Sequence, residues 1–184
     1  MVGRCRDAPL KVAWKRHYVK SSMAQHEAVH CMLSSMTNSE LADKLRDLRD
    51  FLIIAGYEES HATRYTQIAR YIEKLSEPIE AINREKRLGE IPGVGKLVAQ
   101  YIREIIETGV SSKQKEWEQY APITVLELVR IPGLGPKTAR KMFQEYGIDT
   151  YAKLRQADDT GVLKEIQGVG PKLIEAIRAH AKPS

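Results

Sequence analysis

Ile91-Pro92-Gly93-Val94-Gly95-Lys96 is written three times in this chain. It returns as Ile131-Pro132-Gly133-Leu134-Gly135-Pro136-Lys137 and as Ile166-Gln167-Gly168-Val169-Gly170-Pro171-Lys172, at intervals of 40 and 35 residues. Each copy follows a helix-like run and opens another, over 97–106, 138–146 and 173–181. The shared pattern is aliphatic, any residue, Gly, aliphatic, Gly, then a lysine within two positions. It predicts a tight turn between helices, in which glycines without a Cβ let the backbone reach φ > 0 and approach another group closely. The second glycine falls at the next helix's N-terminus, where unpaired N–H groups and the positive end of the dipole favour an anion. The neighbouring lysine adds a mobile full charge.

Working outward, the surrounding pattern is helical throughout. Thr37-Asn38-Ser39-Glu40 reads as a capping box, and Leu41, Leu45, Leu48 and Leu52, flanked by Phe51 and Ala55, follow at helical spacing up to Gly56. Ala62, Tyr65, Ile68, Ala69, Ile72 and Leu75 form a second stripe, and Pro78 opens a short third helix. Gly109 closes the helix after the first glycine turn. Beyond Ser111 come Trp117, Tyr120 and Pro122, then a helix over 125–129, a break at Gly147-Ile148-Asp149, and a capped turn through Leu154. No strand-like alternation is found, so the reading is all-α. Two of the three turns lie consecutively in 123–181, an arrangement that lets paired units bury each other's apolar faces.

At 184 residues the chain has room for one or two small cores. No apolar run reaches the roughly 18 residues of a membrane span, and no secretory core is evident at the start. The net charge of +5 is concentrated at one end: residues 1–36 carry six basic and two acidic residues, and the remainder only +1. Any affinity for nucleic acid must therefore come from local placement of charge and backbone donors. Both cysteines, Cys5 and Cys31, lie in that first segment, so the folded part holds together without disulfides, which suits a reducing cytoplasm. Residues 1–35 read as a disordered basic tail or as an upstream start assigned too early, with Met36 opening the folded protein; a transit peptide has a similar composition. His26, His30 and Cys31 have metal-ligand spacing, but no second ligand pair completes a closed site.

The repeated turn resembles the helix-hairpin-helix motif, a clamp for the DNA phosphate backbone. The whole of residues 36–180 resembles the N-terminal part of family X DNA polymerases of the bacterial and archaeal type. The likeness is carried by the stretch from Arg64 to Ile72, by Leu88 to Lys96, by Leu126 to Gly135, and by Tyr146-Gly147-Ile148-Asp149-Thr150. It implies a lyase-like helical domain with one hairpin over 36–110 and a fingers-like tandem of hairpins over 111–184. By resemblance, Gly93, Gly95, Lys96, Gly133, Gly135, Lys137, Gly168, Gly170 and Lys172 contact phosphate, with Arg140, Lys141 and Arg130 on the flanks. Hairpin carbonyls in that family also hold a monovalent cation, Na+ or K+. By position these are Gly89, Ile91 and Val94, and Val129, Ile131 and Leu134.

The departures shape the functional expectation. No acidic cluster capable of holding two metal ions is present, and the Asp158-Asp159 pair reads as turn chemistry. Neither a palm nor a PHP-type domain lies within the sequence, so polymerase activity is expected only if the chain is a fragment. The family's Schiff-base lysine position holds Tyr101, which cannot form an imine, and the helper lysine position holds Leu97. A residual lyase would have to use Lys96. The 5′-phosphate pocket positions read Ser60, His61 and Tyr65, with Arg64 able to supply charge; Tyr65 and His61 equally fit a packed or solvated helix face. The expectation is a sequence-independent DNA-binding protein of repair or replication, cytoplasmic and nucleoid-associated, not an enzyme and not in a membrane, with gapped or nicked duplex among its partners. A 5′-deoxyribose-phosphate lyase and a protein-interaction scaffold are the alternatives.

Overall fold

A single helix, α1 (Asn38–Ala55), organises the molecule, and its first turn is set by the capping box. The Thr37 hydroxyl accepts the Glu40 N–H, and the Glu40 carboxylate accepts the Thr37 N–H. The Thr37 N–H and the Thr37 hydroxyl, both donating to that carboxylate, hold it below its ordinary value. The computed structural model describes residues 36–180. The readings made for residues 1–35, Cys5, His26, His30 and Cys31 among them, and for Lys182-Pro183-Ser184, lie outside the described residues.

After α1 come α2 (Glu59–Ile72), α3 (Ile79–Arg84), α4 (Lys96–Thr108), α5 (Ser112–Trp117), α6 (Leu126–Val129), α7 (Pro136–Tyr146), α8 (Tyr151–Asp159) and α9 (Pro171–His180). Short 3-10 turns at Leu88–Glu90, Ile123–Val125 and Val162–Lys164 lead towards the three glycine turns. No strand occurs among the described residues, as the absence of alternation predicts. Glycines in the left-handed region stop α1 at Gly56, α4 at Gly109 and α7 at Gly147. The turn expected through Leu154 extends as a helix to Asp159, because Asp158 is not turn chemistry. Its carboxylate takes two hydrogen bonds from the Arg178 guanidinium, at 2.7 and 2.8 Å, which ties α8 to α9.

Two apolar clusters build the interior. In the first, Leu41, Leu45, Leu48 and Leu52 of α1 pack with Ile68 and Ile72 of α2, Ile79 and Ile82 of α3, and Val98, Ile102 and Ile105 of α4. The second holds Leu128, Ile131, Leu134, Met142, Leu154, Leu163, Ile166, Ile174 and Ile177. Phe51, Ile54 and Ala55, on the other side of α1, belong to this second cluster. The expected segments 36–110 and 111–184 each have a core, but they share this helix, and one compact unit results. Asp47 of α1 also accepts from Arg130 at 2.6 Å. The loop between α2 and α3 is held by Asn38, whose side chain donates to the Leu75 and Glu77 carbonyls and accepts the Ile79 N–H at 2.7 Å.

Because Phe51 is fully buried where α1 enters the second cluster, Phe51→Ala is expected to cost about 3–5 kcal/mol. Urea unfolding followed by far-UV signal should shift as a single transition, since α1 serves both cores. A second, unshifted transition from the α2–α4 region would contradict that coupling.

Candidate nucleic-acid interface

The three glycine turns are built alike. The Val94 N–H donates to the Ile91 carbonyl, Leu134 to Ile131, and Val169 to Ile166, each at 3.0 Å. The third residue of each turn has positive φ: Gly93 at 84°, Gly133 at 87° and Gly168 at 95°. A hydrogen bond between first and fourth residues, with Pro or Gln second and a left-handed glycine third, is a type II turn. The flanking aliphatic residues, Ile91 with Val94, Ile131 with Leu134, and Ile166 with Val169, are all buried. They anchor each turn to the core while its tip stays exposed.

The two glycines of each turn play different parts. The first is required by its φ. A Cβ there would meet only ordinary contacts: Ile68 at 3.6 Å from Gly93, Leu173 at 3.9 Å from Gly133, and Thr138 at 3.9 Å from Gly168. The second is required by nothing within the chain. Gly95 and Gly135 have φ of −85° and −81°, open to any residue, and a Cβ on Gly95, Gly135 or Gly170 would have no neighbour within 4 Å. These second glycines stand just ahead of α4, α7 and α9.

Their caps contrast with those of three other helices, although α2 and α3 also lack a side-chain cap. Hydroxyls of Thr37, Ser111 and Thr150 cap α1, α5 and α8 by accepting an N–H of the first turn. Gly95 and Gly135 supply no side chain, so the first N–H groups of α4 and α7 receive no side-chain cap. No acidic residue lies in the first turn of α4, α7 or α9, whereas α1, α2 and α3 carry Glu40, Glu59 and Glu80 there. Each hairpin helix thus keeps its positive end uncompensated by its own sequence. Pro136 and Pro171 occupy the first helical position of α7 and α9, so those turns offer the N–H groups of Gly135, Lys137, Gly170 and Lys172; α4 adds that of Lys96.

Hairpins two and three are joined directly. Gly133 lies against Leu173 of the third unit and Gly168 against Thr138 of the second. Shifting each residue of the first pair by the 35-residue repeat, or back, gives the second pair, so the packing is reciprocal, as in a pseudo-twofold. Lys141 adds a bond to the Gln167 side chain at 3.0 Å. Hairpin one packs instead on α2, where Ile68 receives Gly93.

The remaining predicted residues fall out unevenly. Lys96, Lys172 and Arg64 are exposed. Lys137 is exposed too, but its ammonium pairs with Glu59 of α2 at 2.8 Å. Arg140 is half-buried, bonded to Gln144, with its guanidinium near Gly56, and Arg130 is held by Asp47. Tyr65, expected beside a phosphate, is 4% exposed and packs in the first cluster. Burial pushes its phenol up to about 12. Tyr101 is also buried, and burial raises its phenol. The Glu59–Lys137 pair was not legible in sequence, since it joins residues 78 positions apart. The carbonyls of Ile91 and Ile131 each accept one turn N–H and keep a second lone pair. With Gly89, Val94, Val129 and Leu134 they are neutral oxygen donors of the kind a monovalent cation takes.

Comparison with known proteins agrees with this geometry. The family described as helix-hairpin-helix domain matches residues 36–111, and the SAM-like helix-hairpin-helix tandem matches residues 125–183. DNA polymerase lambda of Arabidopsis thaliana is 30% identical over 124 residues, 67% of this chain and 22% of that protein. The chain carries helix-hairpin-helix regions homologous to those of family X DNA polymerases. The DNA polymerase/3'-5' exonuclease PolX of Bacillus subtilis (strain 168) is 30% identical over 87 residues, 47% of this chain and 15% of that protein. The Holliday junction branch migration complex subunit RuvA of Stutzerimonas stutzeri (strain A1501) is 30% identical over 95 residues, 52% of this chain and 47% of that protein. The matches thus span less than a quarter of the two polymerases and about half of RuvA.

Gly133→Ala forces an L-residue into the left-handed region and is expected to cost about 1–2 kcal/mol in urea unfolding; an unchanged midpoint would contradict the turn assignment. Arg178 holds the Asp158 carboxyl below the ordinary aspartate range. The stability it lends is therefore complete above that range and is lost as pH falls through the lowered folded value. Protection of the α9 amides, measured against their intrinsic exchange rates, should fall below about pH 4, and Asp158→Asn should remove that step.

Proposed function

We propose that this chain grips duplex DNA by its sugar-phosphate backbone, without reading sequence, and that it binds rather than transforms the DNA. One observation carries this reading. The second glycine of each hairpin is demanded neither by φ nor by internal packing, yet it stands bare at a position where α1, α5 and α8 carry a hydroxyl cap. A serine or aspartate there would satisfy the helix N–H groups internally and place an oxygen where a phosphate would come. Glycine leaves both donors and space, and the dipole favours the phosphate charge. The reciprocal packing of hairpins two and three supports a duplex as partner, because two grips related by a twofold match two antiparallel strands. DNA is also named in the descriptions of the polymerase relatives. At the position where the resemblance places a Schiff-base lysine stands the buried phenol of Tyr101, which favours binding over lyase chemistry. A role in repair or replication, in the cytoplasm at the nucleoid, follows from the same reading.

Backbone contacts carry no sequence information, and affinity on the order of 10⁻⁴–10⁻⁶ M at physiological salt is expected of them. Titration of two unrelated labelled duplexes over a salt series should give equal affinities and a log–log slope of roughly −3, one phosphate per hairpin lysine. Gly95→Val with Gly135→Val should abolish binding while the helical signal persists; undiminished binding would overturn the proposal. Glu59 occupies Lys137, so Glu59→Gln should tighten binding about two- to fivefold, the scale of an exposed ion pair. Weaker binding by that variant would show that the pair positions Lys137 instead of withholding it.

A further inference from the structure

The three hairpin helices open in the same register but not with the same residue. Lys96, Pro136 and Pro171 are the first residues of α4, α7 and α9, so Leu97, Lys137 and Lys172 are the second, each two past the second glycine of its turn. The following residue confirms the match: Val98 and Leu173 are buried, and Thr138 is half-buried beside Gly168. Hairpins two and three thus carry an exposed ammonium where hairpin one carries an exposed leucine. Leu97 is 60% exposed, the largest exposure of any large apolar side chain among the described residues. The core does not call for it. The buried stripe of α4 is Val98, Ala99, Tyr101, Ile102 and Ile105, and every other exposed residue from Lys96 to Thr108 is polar.

The place of Leu97 decides its reading. Side chains of an α-helix lean towards its N-terminus, so a residue in the first turn leans towards the helix end, where the clamp holds its phosphate. A phosphate offers nothing to an apolar group. Its neighbours along the strand are the sugars, and a deoxyribose presents its C2′ methylene without a polar atom. In ribose the same carbon bears a hydroxyl, both donor and acceptor. A leucine laid against that hydroxyl would leave it without water or partner, at a cost in binding. An ammonium at the same place, as at Lys137 and Lys172, accommodates either sugar. We infer that Leu97 packs on the deoxyribose beside the phosphate held at hairpin one and makes that hairpin selective for DNA over RNA. The inference rests on the backbone-clamp reading and adds to it a residue that distinguishes the sugar.

Anisotropy titrations of the full chain with three labelled duplexes of one sequence test it: DNA, RNA, and RNA whose 2′-hydroxyls are replaced by fluorine. The last two share A-form geometry, so their ratio separates the hydroxyl from helix shape. The wild type is expected to bind the fluoro duplex about tenfold tighter than RNA, the scale of one hydroxyl left without a partner. Leu97→Lys, which gives hairpin one the residue of the other two, should bring the fluoro and RNA duplexes together and steepen the salt slope by about one. Leu97→Met should keep the preference, and both variants should keep the helical signal. Equal binding of the fluoro and RNA duplexes by the wild type, or binding of neither, would overturn the sugar contact and leave the clamp on DNA standing. So would a preference that survives in Leu97→Lys or is lost in Leu97→Met. Self-association of the wild type that Leu97→Lys abolishes in sedimentation would also overturn it, by giving the leucine to a second copy of the chain. Binding of none of the three duplexes would overturn the clamp itself, and the sugar contact with it.

Discussion

A four-residue type II turn, closed by one hydrogen bond and a glycine at positive φ, is the constraint on which the molecule depends. It reverses the chain between a short lead-in and a longer helix, and it does so at Gly93, Gly133 and Gly168. Buried aliphatic residues on either side of the glycine fix the turn to the core. The same geometry leaves the next residue at the threshold of a helix with its first donors unpaired. Fold and proposed function therefore share one device. The first glycine serves the turn, and in the proposed clamp the second serves the phosphate at the helix end.

How the three units are supported differs. Hairpins two and three support each other, Gly133 on Leu173 and Gly168 on Thr138, within a core closed on one side by Phe51, Ile54 and Ala55 of α1. Hairpin one has no such twin, and α2 takes that place with Ile68 under Gly93. The α2 helix then reaches hairpin two through Glu59. Four of the residues that connect the units lie on two helices: Asp47 and Phe51 on α1, which borders both clusters, and Glu59 and Ile68 on α2, which touches hairpins one and two. A strand held at one hairpin would therefore be presented to the others by a common frame.

Local rules made much of this legible. The capping box at Thr37, the left-handed stops at Gly56, Gly109 and Gly147, and the leucine stripe of α1 follow from neighbours a few residues away. What was not legible is what distance in sequence conceals. The run Phe51-Leu52-Ile53-Ile54-Ala55 is buried on every side of α1, and an unbroken apolar run inside a helix is the signal that a second core lies there. Tyr65 bears the residue type of a phosphate contact, yet its place on the Ala62–Ile72 stripe puts it in the core. The second glycine's place at a helix N-terminus was legible, but that only the first of each pair needs a positive φ was not, because composition does not reveal φ. The carboxylates that meet Lys137 and Arg130 come from helices far back in the chain.

The most direct measurement is residue-resolved amide NMR of the full chain during titration with a short duplex. The account predicts shifts concentrated at the N–H groups of Gly95, Lys96, Gly135, Lys137, Gly170 and Lys172, fading together as salt is raised. Shifts that leave those amides untouched, or that gather on a surface remote from all three hairpins, would contradict it.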